Sequence, residues 1–108
     1  MTVNELCKSC SFTEICVPDG EKEVSGAYIG DLLSWVMGRA NEDNAWITIM
    51  NNINVIAVAS LSDVACVILA EGVTLDETLK ETAIQKGINF LSSSLPAFET
   101  AQLLIGKV

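Results

Sequence analysis

The sequence predicts an α/β fold, a three-layer sandwich in which a mostly parallel sheet of about 4–5 strands carries helices on both faces. Three observations lead there. From Ala45 onward, stretches of strand and helix character alternate three times, the pattern of parallel strands joined by right-handed crossovers. Ala65 to Ala70 (ACVILA) is apolar without alternation, as a strand covered on both faces requires. Residues suited to capping or turning the chain stand at the expected starts and ends of the helices. With 108 residues, half of them apolar, and no linker, repeat or low-complexity tract, residues 1–108 are expected to form one domain.

Taken in order, Thr2-Val3-Asn4-Glu5 reads as a capping box opening a short helix, with Val3, Leu6, Cys7 and Cys10 along one face. Phe12 to Val17 alternates and reads as a strand, ended by the turn Pro18-Asp19-Gly20. Val24 to Ile29 is a second strand, weakened by Gly26. Asp31 is expected to cap a helix running to about Ala40, with Leu32, Leu33, Val36, Met37 and Ala40 on one side.

Ala45 to Met50 has the β-branched and aromatic content of a strand. Ile53 to Leu61 is open between strand and helix. Val55, Ile56 and Val58 favour the strand, whereas Asn51-Asn52 and the small Ala57, Ala59 and Ser60 favour a largely buried helix, which is the reading adopted. After the strand Ala65 to Ala70, Thr74-Leu75-Asp76-Glu77 is read as a second capping box, opening a helix that ends at Gly87. Ile88 to Leu91 is a short strand. Ser94 is then expected to cap a last helix, with Phe98, Ala101, Leu104 and Ile105 inward.

Charge and composition exclude several classes of function. Fourteen acidic against six basic residues leave a net charge of -8, and the basic residues are scattered, so nucleic acid and membrane surfaces are not expected partners. No histidine is present, which removes Ser-His and Cys-His catalysis and every histidine-containing metal site. No apolar run reaches the ~18 residues of a membrane span, and no leader pattern opens the chain. The protein is therefore expected to be cytoplasmic, with its four cysteines as reduced thiols.

Several stretches are familiar together: Ile29-Gly30-Asp31-Leu32-Leu33-Ser34, Trp46-Ile47-Thr48-Ile49, Asn54 to Leu61, and Ile68-Leu69-Ala70-Glu71-Gly72. They resemble the DRTGG domain family, which is similar to the N-terminal, non-catalytic domain of HPr kinase/phosphorylase. The resemblance implies a regulatory or interaction module, often dimeric, found alone or beside CBS domains. It also implies a link to the redox and hydrogenase systems of anaerobic bacteria. The name-giving residues differ here. Met50-Asn51-Asn52 stands where the family has Gly-Asp-Arg, and Ala70-Glu71-Gly72 where it has Thr-Gly-Gly, so only Gly72 is kept.

Ligands of open α/β sheets lie beyond the carboxyl ends of the strands, which here carry Asp31, Asn51, Asn52, Glu71, Gly72, Ser92, Ser93 and Ser94. These residues are candidates for a small polar ligand, or else serve as helix caps and turns. Cys7, Cys10 and Cys16 form a C-x2-C-x5-C pattern, read either as core packing or as a metal or redox site lacking a fourth ligand. Asp76, Glu77 and Glu81 are read as a solvated helix face. Trp35, to the side of the Leu33, Val36, Met37 and Ala40 stripe, is read either as core filling or as a contact of a symmetric dimer. Val55, Val58 and Ala59 are also expected to contribute to that dimer, because the helix at Asn52 to Leu61 is apolar on too many sides to face water. The expected function is thus a non-enzymatic regulatory or interaction module, a homodimer with a protein partner or small ligand and no cofactor. The alternative is a metal or redox protein using Cys7, Cys10 and Cys16.

Overall fold

The computed structural model spans Met1 to Val108. The elements run α1 (Val3–Ser9), β1 (Thr13–Cys16), β2 (Ala27–Ile29), α2 (Leu33–Arg39), β3 (Ala45–Thr48), α3 (Ile53–Ser62), β4 (Cys66–Leu69), α4 (Glu77–Gln85), β5 (Phe90–Ser92) and α5 (Ala97–Leu104). One five-stranded sheet has the order β1-β5-β4-β3-β2. β2 to β5 are mutually parallel, and β1 closes one side antiparallel to β5. The predicted α/β architecture is the one observed.

Alternation along the strands sorts the core into two layers. Trp46, Val67, Leu69 and Phe90 point to one face, where they meet Val36 of α2, Val55, Ile56, Val58 and Ala59 of α3, and Ala83 of α4. Ala45, Ile47, Cys66, Ile68 and Leu91 point to the other, against Val3 and Leu6 of α1 and Leu104 of α5. The sheet order advances by one strand at each of α2, α3 and α4, all on one face, which is how successive crossovers of one hand behave. The capping box of α1 forms as expected, Thr2 Oγ1 accepting from the Glu5 amide at 3.2 Å and Glu5 Oε1 from the Thr2 amide at 2.8 Å. Those hydrogen bonds, the one from the Thr2 backbone first, hold the Glu5 carboxyl below its ordinary range.

Several local expectations are corrected. α2 has no side-chain cap, because Asp31 turns toward β3 and leaves Leu32 at the cap position. Asn52, not Asn51, caps α3 by accepting from the Asn54 amide at 3.0 Å. Asp76 replaces Thr74 as the cap of α4, accepting from the Leu79 amide at 2.8 Å. α5 starts after Pro96 without a cap from Ser94. Its inner face is Thr100, Leu104 and the partly covered Ala97 and Ala101, while Phe98 and Ile105 are 69% and 79% exposed.

The α3 interface residues are also corrected. Val55 and Ala59 are fully buried and Val58 nearly so, all inside the core of the single chain. The outward stripe of α3 is Ile53, Ala57 and Leu61, spaced i, i+4, i+8. This assignment predicts opposite results for two leucines. Leu69→Ala removes a fully buried side chain between the sheet and the α2–α4 layer and should cost about 2–5 kcal/mol, read as a lower urea midpoint. Leu61→Ser, on a side chain 77% exposed, should stay within about 0.5 kcal/mol of the parent.

Candidate functional site

β2 to β5 are parallel, so the residues that follow them converge on one edge of the sheet, as expected for Asp31, Asn51, Asn52, Glu71, Gly72, Ser92, Ser93 and Ser94. Their side chains and amides form a row of ties from loop to loop. Asp31 Oδ1 accepts from Thr48 Oγ1 at 2.7 Å and from the Ile49 amide at 3.0 Å, joining the ends of β2 and β3. Asn51 Nδ2 donates to the Thr74 carbonyl at 2.9 Å, joining the loop after β3 to the loop before α4. Ser92 Oγ donates to the Val73 carbonyl at 2.9 Å, joining β5 to the loop after β4.

The junction between β4 and β5 decides what this edge can hold. α4 leaves β4 for one face of the sheet, whereas α5 leaves β5 for the other. Divergent connections of this kind open the crevice in which α/β folds bind ligands. Here the two loops are fastened together. The Glu71 amide donates to the Leu95 carbonyl at 2.9 Å, and the Gly72 amide to the Ser93 carbonyl at 2.8 Å. Glu71 and Gly72 reach those partners by taking left-handed backbone conformations, φ 61° and 72°. Ser93 Oγ turns inward to Thr100 Oγ1 at 2.8 Å and accepts from the Leu95 amide at 3.2 Å.

Most of the predicted ligand residues are thus committed to the fold. Asp31, Asn51, Ser92 and Ser93 tie loops together, and Asn52 caps α3. Asn52, Glu71, Gly72 and Ser94 are exposed along the rim. Two buried residues that sequence reasoning passed over do the same work at the opposite ends of the strands. Asn89 accepts from the Asp19 amide and donates to the Asp19 and Ala65 carbonyls, while Asn44 accepts from the Asn41 amide and donates to the Ser25 carbonyl. Each stands one residue before an apolar strand run, the signal by which it was legible. A concave site of about 530 Å³ lies elsewhere, at the start of α1, lined only by the polar or charged Thr2, Asn4, Glu5, Lys8 and Glu21.

The cysteines do not converge. Cys7 and Cys10 pack on the α1/α5 side of the sheet, and Cys16 on the α2–α4 side. Their Sγ atoms donate to the carbonyls of Phe12, Leu103 and Ile88 at 3.3, 3.6 and 3.9 Å. Burial pushes the thiols of Cys7, Cys10 and Cys16 up from their ordinary value, and that of fully buried Cys66 up to about 12.

Trp46 is buried and its Nε1 donates to the Gly30 carbonyl at 2.9 Å, whereas Trp35 on α2 is 53% exposed with the Arg39 guanidinium 3.8 Å from its ring centre. With this geometry in place, comparison with known proteins decides the family. The sequence matches the DRTGG domain over residues 15–105. The chain belongs to the DRTGG domain family.

The match begins after α1, yet Val3 and Leu6 of that helix are fully buried in the shared core, so in this DRTGG domain α1 is integral. A similar solved structure is that of the CBS and DRTGG domains of the regulatory region of Clostridium perfringens pyrophosphatase, complexed with its activator diadenosine tetraphosphate. It has a TM-score of 0.72 at 14% identity and covers 96% of this chain and 46% of that one, a likeness of fold. This chain spans less than half the length of that neighbour. Among the curated proteins none matches in sequence.

The thiol environments are directly testable. In the native protein Cys7, the one cysteine that is not buried, should react first with a thiol reagent, and Cys66 only on unfolding. Burial raises the Cys66 value in the folded state while the unfolded thiol titrates near 9.0. That contribution to stability is complete below pH 9.0 and is lost as pH rises toward about 12. Alkaline unfolding curves should therefore show a loss that Cys66→Val diminishes.

Proposed function

We propose that this DRTGG domain is a cytoplasmic, non-enzymatic regulatory module that works through protein contacts, as a homodimer that docks a protein partner. The observation that carries this reading is the row of ties along the strand ends, which closes the crevice between β4 and β5 and commits Asp31, Asn51, Ser92 and Ser93 to structure. Part of the exposed surface away from that edge is apolar. Trp35 and Met37 of α2 and Ile53 and Leu61 of α3 are each more than half exposed, and neither helix carries a carboxylate. In a chain of net charge -8, a face free of carboxylates is where a second copy can approach without like-charge repulsion.

The same charge bears on the ligand. The rim carries Asp31, Glu71 and Asp76, and Asn52 stands where the family resemblance places arginine. A polyphosphate such as the activator of the clostridial pyrophosphatase meets no cation there. In this reading Asn52, Glu71 and Gly72 serve partner contacts rather than a ligand pocket. With the family resemblance as its only support, the proposed partner belongs to the redox or hydrogenase systems of anaerobic bacteria. The separation of Cys7 and Cys10 from Cys16 by the sheet weighs against the metal or redox alternative.

The test is hydrodynamic and calorimetric. Light scattering at micromolar concentration should give a dimer mass, and neither ATP nor diadenosine tetraphosphate should be hydrolysed or raise the melting temperature. A monomer across that range overturns the homodimer. A nucleotide-dependent rise in melting temperature overturns the assignment of the strand-end edge to structure.

A further inference from the structure

The two edges of the sheet are unlike. β1, at one edge, carries exposed Glu14, has a register irregularity between Glu14 and Cys16, and is followed by Pro18. Charge, irregularity and proline are the devices by which edge strands are kept from pairing with other chains. β2, at the other edge, has none of them: Val24 to Gly30 contains no charge and no proline. Ala27 is exposed and Ile29 is 49% exposed.

The hydrogen bonding of β2 shows which of its groups are free. The Ala45 amide donates to the Gly26 carbonyl at 3.0 Å, and the Gly30 amide to the Ile47 carbonyl at 3.1 Å. Residues 26, 28 and 30 thus turn their backbone toward β3, and by the two-residue period Ala27 and Ile29 turn theirs away from the sheet. An antiparallel partner that set Ala27 opposite its Ile29, and Ile29 opposite its Ala27, would satisfy both outward amides and both outward carbonyls. The only strand needed for that register is β2 itself.

We infer that a second copy of this chain pairs with β2, antiparallel and about a two-fold axis through Tyr28, joining the two sheets edge to edge. This rests on the homodimer reading above and names the surface that carries it. A two-fold axis normal to the sheet keeps its faces aligned, so the α2 helices of both copies lie on one side. Beyond α2 that layer has no further helix, since α3 and α4 follow in the opposite direction. Three residues of strand are too few for a stable interface of about 800 Å² per partner, so α2 must supply the rest. It has the side chains to do so, with Leu32 just before it and Trp35 within it 59% and 53% exposed and Arg39 its only charge. The acidic residues that would repel a second copy lie off this strand and helix.

Ala27→Pro deletes an amide that the single chain does not use, and Ile29→Lys places a cation on the pairing edge, so both variants should fold. Sedimentation equilibrium and far-UV circular dichroism are measured together with the parent. The expected result is a dimer whose dissociation is raised at least ~30-fold by Ala27→Pro, two amide bonds lost per dimer, with unchanged dichroism. Residue-resolved hydrogen exchange of the parent gives a reading without substitution: the Ala27 and Ile29 amides should gain protection as concentration rises through the dimerisation range. A parent dimer that both variants retain, with those amides unprotected, overturns the β2 pairing and leaves the homodimer standing. A monomeric parent overturns both.

Discussion

β3 and β4 lie in the interior of the sheet with helices on both faces, and all eight of their residues are buried. Strand alternation sends every second side chain to each face, so neither strand has a direction in which a polar group can meet water. The one polar side chain among the eight, Thr48, stands at the last position of β3, where its hydroxyl reaches Asp31. Polar chemistry is therefore pushed to the strand ends. Helices are required on both sides, which is why α1 and α5 are as necessary as the crossover helices. The inner face of each helix must in turn be apolar, and Val55, Ile56, Val58 and Ala59 are drawn inward from a helix that has apolar residues all round.

The elements were readable in the sequence because the interior constraint writes itself into composition. The unbroken run ACVILA marks β4, and Thr2 with Glu5 marks the start of α1. The phase of α3 was not readable, for a physical reason. Val55, Val58 and Ala59 resemble Ile53, Ala57 and Leu61 in hydrophobicity, so no polar face betrays which side points outward. Only the position of the sheet sets the rotation. The same holds for Phe98 and Ile105, which would suit a core and are left outside because Ala97, Ala101 and Leu104 fill the space between α5 and the sheet.

The candidate site was legible in place and not in role. Strand order alone set Asp31, Asn51, Glu71 and Ser93 along one edge, since parallel strands end together. What those side chains bond to depends on loop geometry. Asn51 and Asn52 are adjacent and chemically identical, yet one reaches across to the Thr74 carbonyl and the other caps α3. Asp31 had the position of a cap and instead serves the neighbouring strand, a contact seventeen residues distant that no local pattern announces.

Fastening the loops at β4 and β5 has a consequence for how such a domain can act. An open crevice binds by surrounding a ligand with convergent polar groups, and here those groups already have partners inside the chain. Opening it would break the backbone bonds that Glu71 and Gly72 make in left-handed conformations. Elsewhere the surface offers the opposite chemistry: uncharged strand backbone at β2 and apolar side chains on α2 and α3. Apolar area and unpaired backbone are satisfied by other proteins, and a net charge of -8 disfavours strongly acidic ones. The physical division of this surface, fastened where small ligands enter α/β folds and uncharged along the β2 edge, thus supports the proposed regulation by assembly over regulation by a bound metabolite.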